Sequence, residues 1–416
     1  VGGSVTLQAR TAIEALRAGV PNRAAIRAMG TEQTRIEHAF ETALAACWTH
    51  AGSEHTGIGF AGGFGTGKSH MLGYLAEVAL QQDFVVSRVV VSKETPLSQP
   101  GHLLAAALRD AVLPDRPDDP IAACVAILRE RPEALDELEI AVSTPQLGLP
   151  PIFAACLYLL RRPSTTQETI RRIGLLWAGT KVSLPVFRQA LAAAGAGRAF
   201  PLKAMASAEW TGHLIRFVPL LFRAVGYEGW CLLLDEVELI GRYTPLQRAL
   251  SYAWLGEWLG LTVPRRFPGI ATAYAITDDF ATAVINARSD SEKLPERLAL
   301  KGRDEQAELA LAGIRHIERT VLQHRLLPPT LDDLALCHDK ARQLYSAAYD
   351  WPAPALPPPE RSSSRTMRQY IKGWITQWDL YRLLGDDVQL VSVDIASNYT
   401  EDASLTEPPG QDEDEL

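Results

Sequence analysis

Apolar residues fall into two kinds of pattern along this chain. Residues 56–61, 230–234 and 269–276 are short, nearly continuous apolar runs, the pattern of strands buried on both faces. Residues 84–92 form another such run, and residues 317–324 are expected to form a fifth strand. Between them the apolar positions recur at helical spacing. A first helix is expected from Thr6 to Val20, closed by Gly19-Val20-Pro21-Asn22. A second spans Arg23 to Met29 and stops at Gly30, and a third, capped by Thr31, runs to about Trp48. Further helices are expected at 70–80, 329–350 and 362–384, the last two joined by the stiff proline-rich stretch 352–359. Strands alternating with helices predict an α/β fold built on a parallel sheet of five strands.

The segment after the first strand carries the most chemistry. Gly62-Gly63-Phe64-Gly65-Thr66-Gly67-Lys68-Ser69 spells the phosphate-binding loop G-x-x-x-x-G-K-[ST], and His70 opens the helix behind it. Its glycines let backbone N–H groups turn inward around phosphate oxygens. Lys68 is expected to reach the β- and γ-phosphates, and the Ser69 hydroxyl to sit on Mg²⁺. The following helix aims its positive end at the same anion. A glycine-rich turn is the alternative, and the strand–loop–helix order favours the nucleotide site.

Such a loop needs a distant acidic partner, and the run 230–234 ends on Asp235-Glu236. Asp235 is expected to orient the metal through its water shell and Glu236 to polarise the attacking water, a Walker B pair. The run 269–276 ends at Thr277-Asp278-Asp279, where Thr277 is the first candidate for sensing the γ-phosphate and Asp278 the second. An ordinary polar strand terminus is the competing reading. Arg297, followed by Arg303, is a candidate arginine finger acting from a neighbouring copy. Arg361, Arg365, Arg368 and Lys372 make one basic stripe on the last helix. Arg368, then Arg365, is the candidate second sensor, with a nucleic-acid contact or a solvated face as alternatives.

The chain of 416 residues has room for two or three compact units. Residues 1–52 read as a helical lead-in and 53–327 as the phosphate-loop core. Residues 328–385 read as a helical lid and 386–416 as an extension with a disordered acidic tail. The stretch from about 103 to 207 exceeds what a minimal core needs and reads as a helical insertion. Its later part is basic, and Arg161, Arg162, Arg171, Arg172, Lys181 and Arg188 form a candidate DNA-binding surface. Helices opened by Thr166 and Ser183 there have the order of a helix-turn-helix; a solvated face or a protein contact are the rival readings.

Net charge of −8 does not exclude nucleic acid, because Glu401, Asp402, Glu407, Asp412, Glu413, Asp414 and Glu415 concentrate it in the tail. The five dispersed cysteines show neither metal-ligand spacing nor a disulfide framework. With no apolar run of membrane-span length and no signal-peptide pattern, a cytoplasmic location is expected. The chain begins with Val1, so a trimmed N-terminus is expected too.

Four segments carry a family resemblance. They are residues 12–23, the loop 63–70, the stretch Val89-Val90-Val91-Ser92-Lys93-Glu94-Thr95-Pro96-Leu97, and Leu233-Leu234-Asp235-Glu236-Val237-Glu238. With these the chain resembles the ATP-binding proteins of BREX phage-defence systems, specifically the smaller D-type component. The resemblance is firm over 11–100, fair over 225–390 and weak in the insertion. It implies a P-loop AAA+ ATPase of the origin-recognition kind that binds and hydrolyses Mg-ATP. It further implies work on DNA beside a helicase or other BREX proteins, with a homo-oligomer as one option. A nucleotide-gated scaffold that does not hydrolyse, or a signalling ATPase without DNA contact, is the alternative.

Overall fold

Four of the five predicted strands form where helices cover the sheet on both faces. A computed structural model describes residues 2–20, 22–48, 57–116, 119–180, 182–261, 267–357 and 366–385. The chain enters through α1 (Gly2–Ala18), α2 (Arg23–Met29) and α3 (Thr34–Ala45). It then reaches β1 (Gly57–Ala61), α4 (Lys68–Gln81) and β2 (Phe84–Val90). The insertion comprises α5 (Pro100–Arg109), β3 (Ala111–Val112), α6 (Pro120–Glu130), α7 (Pro132–Val142), α8 (Pro151–Arg161), α9 (Gln167–Trp177) and α10 (Leu184–Ala193). After α11 (Ser207–Ala224) come β4 (Gly229–Asp235), α12 (Pro245–Trp258), β5 (Ile270–Ile276), α13 (Asp290–Ala299) and α14 (Asp304–Gln323). The described chain ends with α15 (Leu331–Tyr349) and α16 (Met367–Leu384).

Local chemistry explains many of these boundaries. Asn22 Oδ1 accepts the Ala25 N–H at 2.8 Å and starts α2. Thr244 with Gln247, Thr330 with Asp333, and Thr366 with Gln369 form capping boxes on α12, α15 and α16. Thr31 does not cap α3 as expected. Its hydroxyl accepts the Gln33 N–H at 3.2 Å, and the helix starts three residues later, at Thr34.

The sheet order is β1-β5-β4-β2-β3. The first four strands are parallel, but β3 pairs antiparallel with β2 through Val86↔Val112 and Ser87↔Ala111. The sheet is therefore mixed, which corrects the all-parallel expectation. The predicted fifth strand at 317–324 is instead the end of α14. Ala310, Ile314, Ile317 and Val321 are among its buried residues, at a helical spacing that the short window concealed. Beyond that helix, Arg325 forms a single parallel bridge to Ala61 at the outer edge of β1.

Strand β1 can lie against β5 because Gly59 has no side chain. A Cβ there would sit 2.2 Å from the Tyr274 ring opposite it. The Tyr274 hydroxyl continues outward to Thr320 Oγ1 at 2.9 Å and His316 Nδ1 at 3.0 Å, tying β5 to α14.

Three apolar clusters hold the chain. One face of the sheet shares a continuous core with α12–α14 and the insertion helices. The other face packs on α3 and α4. The third joins α1 and α2 to α15 and α16, so the first and last described helices form one body. Arg17 donates to Asp379 at 2.9 Å and Arg10 to the Ala348 carbonyl at 2.7 Å across that seam. Among the described residues no helix is long and apolar enough to cross a membrane.

Candidate active site

Parallel strands place their C-terminal ends on one edge, and the chemistry collects there. Gly62–Gly67 leave β1 and turn into α4. Gly65 and Gly67 adopt φ of 76° and 102°, the left-handed region that favours glycine. A Cβ on Gly67 would meet nothing within 4 Å, so there is open space beside the loop at that residue. A Cβ on Gly62 would lie 2.4 Å from Thr66 Oγ1, so the loop closes tightly on itself there. Helix α4 starts at Lys68 and is long enough to present a full set of unpaired N-terminal N–H groups.

Lys68 Nζ donates to the carbonyls of Gly62 at 2.9 Å and Gly63 at 3.4 Å, and lies 3.7 Å from Glu238 Oε1. The His70 ring bonds the Gly30 carbonyl at 2.8 Å, and burial lowers its affinity for a proton. That contact fixes the end of α2 against the loop. The same helix is clamped further down, where buried Glu77 accepts from Arg23 and Arg27 at 2.5 Å each.

Strand β4 delivers the acidic pair two strands away from β1. Asp235 is buried; its Oδ1 accepts the Glu236 N–H at 3.0 Å and its Oδ2 accepts from Arg88 Nη2 at 2.7 Å. Glu236 follows with φ 58°, a left-handed conformation that turns the chain out of the strand. Partial burial, then the adjacent Asp235 charge, push its carboxyl above the ordinary range. Glu238 is pushed the same way by burial, against the opposing pull of Lys68.

The residues flanking β2 complete this edge. Val91 N–H donates to the Asp235 carbonyl at 3.0 Å, seating the Ser92–Pro96 turn beside the acidic pair. Ser92 Oγ and Thr95 Oγ1 bond each other at 3.0 Å, and Tyr243 OH donates to the Ser92 carbonyl at 3.1 Å.

The loop, the acidic pair and residues from both ends of the chain line one cavity of about 320 Å³. Gly63 to Met71, Asp235, Glu236 and Glu238 form its polar side. Leu16, Met29, Leu326, Leu336 and Ile371 form an apolar wall drawn from both ends of the chain. Arg368 lines it as well, and the Thr366 methyl would touch a Cβ on Gly65 at 2.9 Å. The structure thus brings Gly63, Phe64, Gly65, Thr66, Gly67, Lys68, Ser69, His70, Asp235, Glu236 and Arg368 together, with Gly62 directly behind.

It does not bring in every candidate. Thr277 ends β5 outside the cavity lining, although neighbouring Asp278 lies 3.9 Å from a Cβ built on Gly63. Arg297 is exposed on α13, also outside the lining. In that region the buried ion pair is Arg248 with Asp290, at 2.7 Å. The insertion arginines have partners of their own. Arg161 reaches Asp136 and Glu139, Arg171 and Arg172 both reach Glu168, Arg162 lies over Tyr158, and Arg188 donates to the Leu202 carbonyl. Lys181, Arg361, Arg365 and the acidic tail lie outside the described residues.

Two site residues escaped the sequence reading. Arg88 reads as a polar interruption in an apolar strand, and Glu238 as a solvated acid after the Asp-Glu pair. Only the D-E-V-E spacing hinted at the second.

The residues present fit a Mg²⁺-bound polyphosphate. Among the described residues no group of three or more His, Cys, Asp or Glu could hold a metal alone. A divalent ion here would draw on Ser69, Asp235, water and the phosphates, as Mg²⁺ does in phosphate-loop sites.

Fold and site together define an α/β protein with a phosphate-loop sequence at the C-terminal edge of a mostly parallel sheet. Residues 6–116 match the family model of the BREX system ATP-binding protein BrxC/D. The resemblance to BREX ATP-binding proteins is shown over that stretch, which contains the lead-in, the loop and the Lys93-Glu94-Thr95-Pro96 segment. No curated protein and no solved structure matches the chain.

Proposed function

We propose that this chain is an AAA+-type ATPase serving BREX phage defence, of the D type. The observation that carries the reading is the meeting of Lys68, Ser69, Asp235 and Glu236 around one cavity, although the two pairs are far apart in the chain. The β- and γ-phosphates lie in the loop against Lys68 and the N-terminus of α4, and the base lies against the apolar wall of lead-in and lid. Bound Mg²⁺ supplies positive charge to the phosphate oxygens. Ser69 and Asp235 would hold it, with the Asp235 carboxylate kept in place by Arg88 and by the Glu236 N–H.

Glu236 stands at the mouth of the cavity with a carboxyl of raised proton affinity, as a general base for water requires. Arg368 reaches the cavity from the lid and couples lid position to the γ-phosphate. Arg297 acts from a neighbouring copy and Thr277 after a shift of the β5 end. Coupling to DNA or to a helicase partner belongs to the same proposal. The internal ion pairs of the insertion arginines leave less free charge for DNA than the sequence promised.

The test is a paired comparison with radiolabelled ATP. Lys68→Ala is expected to lose ATP binding, whereas Glu236→Gln keeps it and loses at least about a hundredfold in turnover. Undiminished turnover in Glu236→Gln would remove the glutamate from its assigned role.

A further inference from the structure

Glu238 puts a carboxylate beside the lysine that an anion site keeps for its ligand. Lys68 already has two carbonyl acceptors, yet Glu238 Oε1 stands 3.7 Å from the same Nζ. The other oxygen, Oε2, is buried without a hydrogen-bond partner. Acids kept for structure satisfy both oxygens, so this one is poorly explained as a fold element. It is also held in place. Val237 and Ile240 of the same short turn are fully buried, which anchors the backbone on either side. Glu238 lines the same cavity as Lys68, Asp235 and Glu236.

We propose that Glu238 competes with the terminal phosphate for Lys68 and thereby sets the preference between nucleoside triphosphate and diphosphate. In the resting site the carboxylate holds the ammonium. When a triphosphate enters, Lys68 turns to it, and Glu238 is left facing the added negative charge. A diphosphate places less charge there and suffers less. ATP affinity is therefore held down relative to ADP, which keeps the site exchangeable.

This inference rests on the ATP-binding reading, and the experiment separates the two. Affinities for ATP and ADP are measured by titration calorimetry on the unsubstituted protein, Lys68→Ala and Glu238→Gln. Glu238→Gln is expected to tighten ATP by about tenfold and ADP by less than about threefold, the scale of one partly screened charge contact. Equal tightening of both, no change, or weakening would overturn the inference; weakening of both would make Glu238 a positioning aid for Lys68. If Lys68→Ala abolishes binding in that same case, the site reading stands without it. If the unsubstituted protein binds neither nucleotide, both fall. Glu238→Asp, which draws the charge back by one methylene, is expected to give an intermediate shift toward ATP should Glu238→Gln fold poorly.

Discussion

A glutamate at φ 58° sits in a conformation that costs a side-chain-bearing residue about 1 kcal/mol or more. Glu236 holds it because β4 must end abruptly, with Asp235 buried in the sheet and the next carboxylate at the cavity mouth. Glycine would adopt that backbone freely, whereas alanine would keep the penalty. Glu236→Gly is therefore expected to be more stable than Glu236→Ala by about 0.5–1 kcal/mol in urea unfolding, with both inactive. Equal midpoints would mean that the turn relaxes once the carboxylate is gone. At this scale the place of the Asp-Glu pair was legible, because the apolar run before it marks a buried strand and the two acids mark its end. Arg88 and Glu238 were not. Their partners, Asp235 and Lys68, lie across strands and turns that no local spacing reveals.

Elements were legible where one periodicity dominated a long window, as in α15 and α16, or where an apolar run was unbroken, as in β4 and β5. They were lost where the window was short. Two residues sufficed for β3, because β2 offered an open edge and Val112 could pair with Val86. The mistaken strand at 317–324 came from reading the last seven residues of a twenty-residue helix together with His324 beyond it. The docking of elements depends on single small residues that composition hides. Gly73 lets α2 lie on α4, since a Cβ there would come within 2.4 Å of Ile26 Cδ1. Gly73→Ala forces that side chain to move and is expected to cost about 1–3 kcal/mol, measured by denaturant unfolding. Shortening the neighbour in Gly73→Ala with Ile26→Val should recover part of the loss. If Gly73→Ala alone is neutral or stabilising, Ile26 Cδ1 moves aside at little cost and the helix propensity of alanine decides the sign.

At the scale of the whole chain, the site depends on a union of its two ends. Ile13 and Met29 belong to the same apolar cluster as Tyr345, Trp374 and Trp378, and that cluster supplies Leu16, Met29 and Ile371 to the cavity's apolar lining. Such pairings join residues more than 300 positions apart and leave no trace in local pattern, so lead-in and lid read as separate parts in the sequence. Because they share one core, they should respond to nucleotide as one body. Hydrogen exchange with and without ATP is expected to show added protection in α1 and α16 together, alongside the loop and the start of α4. Trp378→Ala tests the mechanical link. Its ring is fully buried and its Nε1 donates to the Pro354 carbonyl at 3.0 Å, but it does not line the cavity. Removing it should loosen the seam by about 3–5 kcal/mol. Where the sheet stays folded, ATP affinity should then fall and the joint protection of α1 and α16 should disappear. Protection confined to the loop in the unsubstituted protein would show instead that nucleotide is held by the phosphate cradle alone, with the united ends serving only as a scaffold.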